Sequence, residues 1–143
     1  MTPANNAPDV NRDLDAAYRW LVSWLVEDAW RLRRPADLVT AVCERLLAAG
    51  VPLSRFNAFI RVLHPNYFGF NHLWTRATGT TETRRGNHNM WESDQVQKSP
   101  IQAVMNEKDM IRCRLSEPGA EAMFQDYPVL REIRDEGATD YTM

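Results

Sequence analysis

The chain has 143 residues, enough for one domain that buries a core without disulfide or metal staples. Its formal net charge of -2 and pI near 5.9 give no global electrostatic reason to bind nucleic acid or anionic lipid. Two cysteines, Cys43 and Cys113, form neither a disulfide framework nor a zinc pattern, which points to a reducing, cytoplasmic compartment.

The opening segment MTPANNAPDV is polar, without the basic and apolar blocks of a signal peptide, and reads as a disordered leader over residues 1–10. No run approaches the roughly 18 apolar residues that a spanning helix needs, so no membrane partner is expected. From Asn11 to Arg34 the pattern is helical. Leu14, Tyr18, Leu21, Leu25, Ala29 and Leu32 recur at spacings of three and four and give one apolar stripe. Trp24 and Trp30 flank the stripe and Trp20 lies almost opposite it. Three Trp around one helix call for a second covering surface: the rest of the domain, or a second copy of the chain. Trp20, Trp24 and Trp30 are therefore candidate dimer-interface residues.

Pro35 and Asp37 suit the first turn of a second helix, with Leu38, Val42, Leu46 and Ala49 inward, Cys43 beside them and Gly50 as the stop. Strand formers follow in Phe56–Leu63, then a His64-Pro65-Asn66 turn and an aromatic strand from about Phe68 to Ala77. Thr78-Gly79-Thr80 turns into a polar strand over Thr81–Arg85, completing an antiparallel meander. Residues 86–98 are irregular and hold Met90 and Trp91 in a polar background, which suggests a loop that folds back on the sheet. Ser99-Pro100-Ile101-Gln102 carries helix-start signals, Met110–Leu115 alternates as a strand, and Ser116–Gln125 reads as a linker. A last helix is expected over Tyr127–Glu136, and a β-type segment begins at Ala138–Met143, as in a fragment of a longer protein. The whole predicts one α+β domain over 11–143, with N-terminal helices and a mainly antiparallel sheet. The order is compatible, by analogy of fold alone, with a GAF- or PAS-like sensor.

No phosphate-cradling glycine loop, nucleophile elbow or His-Glu-x-x-His motif is present, and the three histidines have no ligand at a recognised metal spacing. A Cys113/His pair would need the two to meet in space, and scattered carboxylates do not make an acid/base site. No catalytic residues are expected. The sharper feature is the aromatic strand. Strict alternation puts Phe68, Phe70, His72 and Trp74 on one face, where they either pack a core or, with Met90 and Trp91, line a ligand site. A neutral His72 could ligate haem iron or hydrogen-bond another planar small ligand, with Arg61 or Arg76 for haem propionates.

Several stretches together resemble the N-terminal regulatory region that precedes the catalytic domain in a group of bacterial class III adenylate/guanylate cyclases. They are Leu63-His64-Pro65, Phe68-Gly69, Trp74, Ser99-Pro100, Arg112-Cys113-Arg114-Leu115, then Pro128, Leu130, Arg131, Glu132 and Gly137-Ala138-Thr139-Asp140-Tyr141. The helices LVSWLVEDAWRL and PADLVTAVCERLLAAGVPLSRFN fit as well, so the resemblance runs from about Asp13 to Met143. It implies a sensory or dimerising input, a homodimer, and a downstream cyclase catalytic domain in the parent protein. The metal-binding aspartates and the Asn/Arg pair of that domain match nothing here, so the resemblance implies a chain without cyclase activity of its own. The resemblance also implies a bacterial protein with a role in cAMP signalling. Any ligand and the direction of regulation stay open.

Overall fold

In the computed structural model, which describes residues 6–107 and 110–143, the chain is α+β and divides into two compact units, 1–86 and 87–143. The single domain read over 11–143 is thus built as two bodies.

The first unit opens with order earlier than the composition suggests. Residues 1–5 lie outside the described residues, but Val10 donates its amide to the Ala49 carbonyl at 2.8 Å, so the end of the ten-residue leader is tied down. Helix α1 spans Leu14–Glu27, and the Asp13 carboxylate caps it by accepting from the Ala16 amide at 2.8 Å. The helix expected to run to Arg34 stops at Glu27. A 3₁₀ turn, Ala29–Arg31, follows, and Trp30 Nε1 donates to the Glu27 carbonyl at 2.8 Å. Helix α2 spans Pro35–Ala48, with Pro35 in its first turn and Arg34 forked onto Asp37 at 2.7 and 2.9 Å. Gly50 ends it with φ +86°, a conformation costly for any residue with a Cβ.

Strands β1 (Arg55–Arg61), β2 (Gly69–Thr75) and β3 (Thr81–Gly86) form an antiparallel sheet in sequence order. The register pairs Ile60 with Phe70 and Phe70 with Arg85, Ala58 with His72 and His72 with Thr83, and Phe56 with Trp74 and Trp74 with Thr81. Helix α2 packs on this sheet. Val39, Cys43 and Trp74 are its buried core, with Leu47, Leu53, Phe56 and Ala58 against them. The inward side of α2 is therefore the Val39/Cys43 side. Of the expected stripe, Leu38, Val42 and Leu46 are only half-buried, while Ala49 at the helix end is buried.

In the second unit, the stretch read as irregular contains from residue 87 on two single helical turns, α3 (His88–Trp91) and α4 (Asp94–Gln97), and helix α5 spans Pro100–Glu107. Strand β4 is only Arg112–Cys113 and pairs antiparallel with β5, Tyr141–Thr142. The ladder is extended by reciprocal bonds between Ile111 and Met143 (2.9 and 2.8 Å). The stretch read as a linker contains helix α6, Ala120–Asp126, which starts at Gly119 with φ +100°. Helix α7, Val129–Asp135, follows after Pro128. Cys113, Leu115, Ala120, Phe124, Leu130 and Ile133 form the core of this unit.

Candidate functional site

The aromatic strand is largely consumed by packing. Trp74 is 1 % exposed beneath Val39 and Cys43 of α2. His72 is also buried, and its Nδ1 is hydrogen-bonded with the Thr83 hydroxyl at 2.8 Å across the β2–β3 ladder. Thr81, two pairs away along β3, meets Thr40 of α2 hydroxyl to hydroxyl at 2.7 Å. The α2 end of this sheet face is thus closed by apolar packing and by one inter-element hydrogen bond.

The other end is more open. Phe70 is half-buried, its partner Ile60 is exposed, and Tyr67 tilts against Phe70 at 6.3 Å between centroids. Tyr67 is stacked on His64 at 4.8 Å, and the Arg85 guanidinium lies 5.5 Å from its ring. His64 serves the turn it was read into: its Nδ1 accepts the Asn66 amide at 3.1 Å.

Phe68 leaves the expected alternation. Its ring stacks on Phe59 at 6.0 Å and lies under the Arg61 guanidinium at 4.9 Å, and both residues belong to the opposite face of β1. Gly69 explains the turn. A Cβ there would sit 2.6 Å from the Ile60 carbonyl oxygen and 2.8 Å from the Phe59 ring, so only glycine lets that ring lie across the backbone and reach Phe68. The face therefore carries Phe70, His72 and Trp74 without Phe68. Met90 belongs to α3 in the second unit and is exposed; the side chain of Trp91 lies outside the described residues.

The tryptophans of the first helix have three different settings. Trp24 is buried, Trp20 half-buried and Trp30 exposed. The first two hold Arg45 of α2, whose guanidinium lies 4.0 Å from the Trp24 ring and 5.4 Å from that of Trp20. Arg45 is only 8 % exposed; desolvation lowers its pKa, and the charges of Asp28 and Glu44 oppose that shift. Sequence reading missed this residue, because an arginine within a helix carries no sign of the aromatic pair 21 and 25 positions earlier.

The buried side of α1 is thus Ala17 and Trp24, and the apolar stripe read from spacing lies largely in water. Leu14 is 66 % exposed and Tyr18 65 %; Val26, two turns on, and Trp30, in the 3₁₀ turn after the helix, are 73 % and 71 % exposed. Leu25 is exposed too, while Leu21 and Val22 are half-buried. Only Ala17 and Trp24 of the helix are buried, and most of its other large apolar side chains face outward.

In the second unit an open concavity of about 400 Å³ is lined by Arg112, Cys113, Arg114, Glu117 and Met123 among others. Both arginines are already neutralised, Arg112 by Asp140 at 2.6 Å and Arg114 by Glu117 at 2.8 Å. Burial, followed by the charge of Asp140, raises the Cys113 thiol, which opposes the thiolate that a nucleophile needs. Among the described residues no three His, Cys, Asp or Glu side chains gather as a metal site, and no helix is long and apolar enough to cross a membrane. Compared with known proteins, the chain matches no family model, no curated protein and no solved structure.

Proposed function

We propose that the chain is a non-catalytic regulatory input region of a bacterial class III nucleotide cyclase, acting in the cytoplasm through self-association of its first helix. The observation that carries the reading is the exposed apolar side of α1, a surface that a solitary domain has reason to bury. The resemblance of the chain to cyclase regulatory regions gives the surface a purpose. Class III catalytic sites form between two catalytic domains, so an input that fixes how two chains pair also fixes how those domains meet. The α+β character is in keeping with a GAF- or PAS-like input, and the two unbridged cysteines are in keeping with a reducing compartment.

A second reading is a purely structural dimerisation module without a ligand. The packing of the aromatic strand favours it: Trp74 is sealed beneath α2 and His72 is held by Thr83, so core formation accounts for both. A haem or other planar ligand on this face would have to displace α2 or use the open Phe70 end. In the regulatory reading without a ligand, the signal enters elsewhere in the parent protein and passes through the dimer.

The test is a fusion of this chain ahead of a class III catalytic domain. Cyclic AMP formation should differ from that of the catalytic domain alone, and Tyr18→Asp should abolish the difference. A fusion indistinguishable from the bare catalytic domain, over a concentration range spanning its dimerisation, would overturn the proposal.

A further inference from the structure

The exposed residues of α1 are not arranged as a coiled-coil seam. Exposed Leu14, Tyr18 and Val26 recur with half-buried Val22 every fourth residue, which makes the four one ridge winding around the helix, and exposed Trp30 follows in the 3₁₀ turn beyond its end. The neighbouring row on the side toward the body of the unit contains Leu21 and Leu25. Between the two rows runs an apolar groove. The row on the other side is polar, with Asp15, Arg19, Ser23 and Glu27, and Ser23 donates to Glu27 at 2.8 Å.

A ridge of this kind fits a groove of the same kind. When four-residue rows of two helices interdigitate, the axes cross at about −50° rather than running side by side. We propose that α1 docks on α1 of a second copy of this chain in a crossed, antiparallel sense about a two-fold axis near Val22. Each ridge lies in the Leu21/Leu25 groove of the other. This rests on the self-association just proposed and specifies its geometry.

Two features choose a second copy as the occupant. The first is area. At their observed exposures the ridge and Leu25, with Trp30 just beyond the helix, leave on the order of 600 Å² of apolar side chain per copy in water, given the large areas of Tyr and Trp. Two copies together offer about 1,200 Å², the bottom of the range for specific interfaces, which fits a reversible dimer. The second is charge. Asp13 and Asp15 outnumber Arg12 at the start of α1, while Arg31, Arg33 and Arg34 outnumber Glu27 and Asp28 around its end, where Arg31 is paired with Asp28 at 3.1 Å. An antiparallel crossing brings the acidic start of each copy toward the basic end of the other; a parallel one sets like beside like.

The experiment is disulfide trapping with single added cysteines in the full 143-residue chain, alongside sedimentation equilibrium of the unmodified protein. Cys43 and Cys113 are both buried, so the parent chain is its own low-background control. Val22→Cys should cross-link copy to copy rapidly, and Leu14→Cys, far from the axis, should not link to itself. Tyr18→Asp, at an exposed position, should keep the circular dichroism of the parent and weaken dimerisation at least tenfold. A monomer at all concentrations would overturn both this geometry and the function proposed above. A dimer that Tyr18→Asp weakens but Val22→Cys does not trap, or that Leu14→Cys traps equally well, would overturn the crossed geometry alone.

Discussion

Arg45 offers the most discriminating substitution, because opposing effects of similar size meet at one side chain. Its guanidinium is 4.0 Å from the Trp24 ring in a nearly dry site, a contact of about 2 kcal/mol, and the Trp20 ring at 5.4 Å adds about 0.5. Against this, its buried Nε has no hydrogen-bond partner, an omission that costs roughly 1–3 kcal/mol. The charge-dependent terms therefore nearly cancel. What remains is the methylene stem, whose burial contributes about 2 kcal/mol at roughly 0.8 per CH₂. Arg45→Met keeps the stem and removes the charge, so it should change stability by less than about 1 kcal/mol. Arg45→Ala removes both and leaves a void beside Trp24, so it should cost about 2–3 kcal/mol. The assay is urea unfolding followed by tryptophan fluorescence in a Trp91→Phe background, where every remaining tryptophan lies in the first unit. If Arg45→Met destabilises as much as Arg45→Ala, the charge–ring contact dominates and the reasoning is refuted.

Other expectations concern the sheet and its cover. Gly69→Ala should cost about 1–3 kcal/mol, because the added methyl would lie 2.6 Å from a backbone oxygen that cannot swing away; an unchanged urea midpoint would contradict the argument. Burial pushes the Cys43 thiol up to about 11 from its ordinary value of 9.0. The folded thiol thus ionises after the unfolded one. Its contribution is intact below pH 9 and is lost as pH rises from about 9 through 11. Stability of the parent chain relative to Cys43→Ala should fall over that window, and a constant difference would count against it. An absorption spectrum of the purified chain should show only aromatic bands, since His72 is taken up by Thr83 and Trp74 by α2; a Soret band would reinstate the planar-ligand site.

Much of the fold is legible in the chain because its signals are local. Alternation in Phe56–Leu63 and in the aromatic strand, with Gly79 at φ +67° between strands, suffices for the meander. Pro35 and Gly50 bracket α2 where capping chemistry says they should. What was missed depends on distant partners. Phe68 breaks the alternation because its backbone is bonded to Val62 and Gly86 on two sides, and because the bare Gly69 admits the Phe59 ring. Helix α6 has seven residues, about two turns, too few for a periodic pattern to stand out in Ser116–Gln125.

The first helix shows why its exposed face was legible only in part. A helical wheel reports which side of a helix is most apolar, and it pointed to Leu14, Tyr18, Leu21 and Leu25. It cannot report which side the rest of the fold covers. Here α2 brings Arg45, and the guanidinium captures Trp20 and Trp24; the helix therefore turns Ala17 and Trp24 inward and leaves its ridge outside. The tryptophans that drew attention from sequence thus divide. Trp24 is a core residue, Trp20 shares its arginine, and Trp30 stands exposed in the turn beyond the helix. Leu14, Tyr18 and Val26 of the ridge stand about two-thirds or more in water. Burying such a row stabilises by roughly 25 cal/mol per Å² before the costs of association are met, so its exposure is a standing free-energy difference that a second surface can relieve. That difference, rather than any pocket, is the largest unspent driving force that the described residues of this chain offer for association.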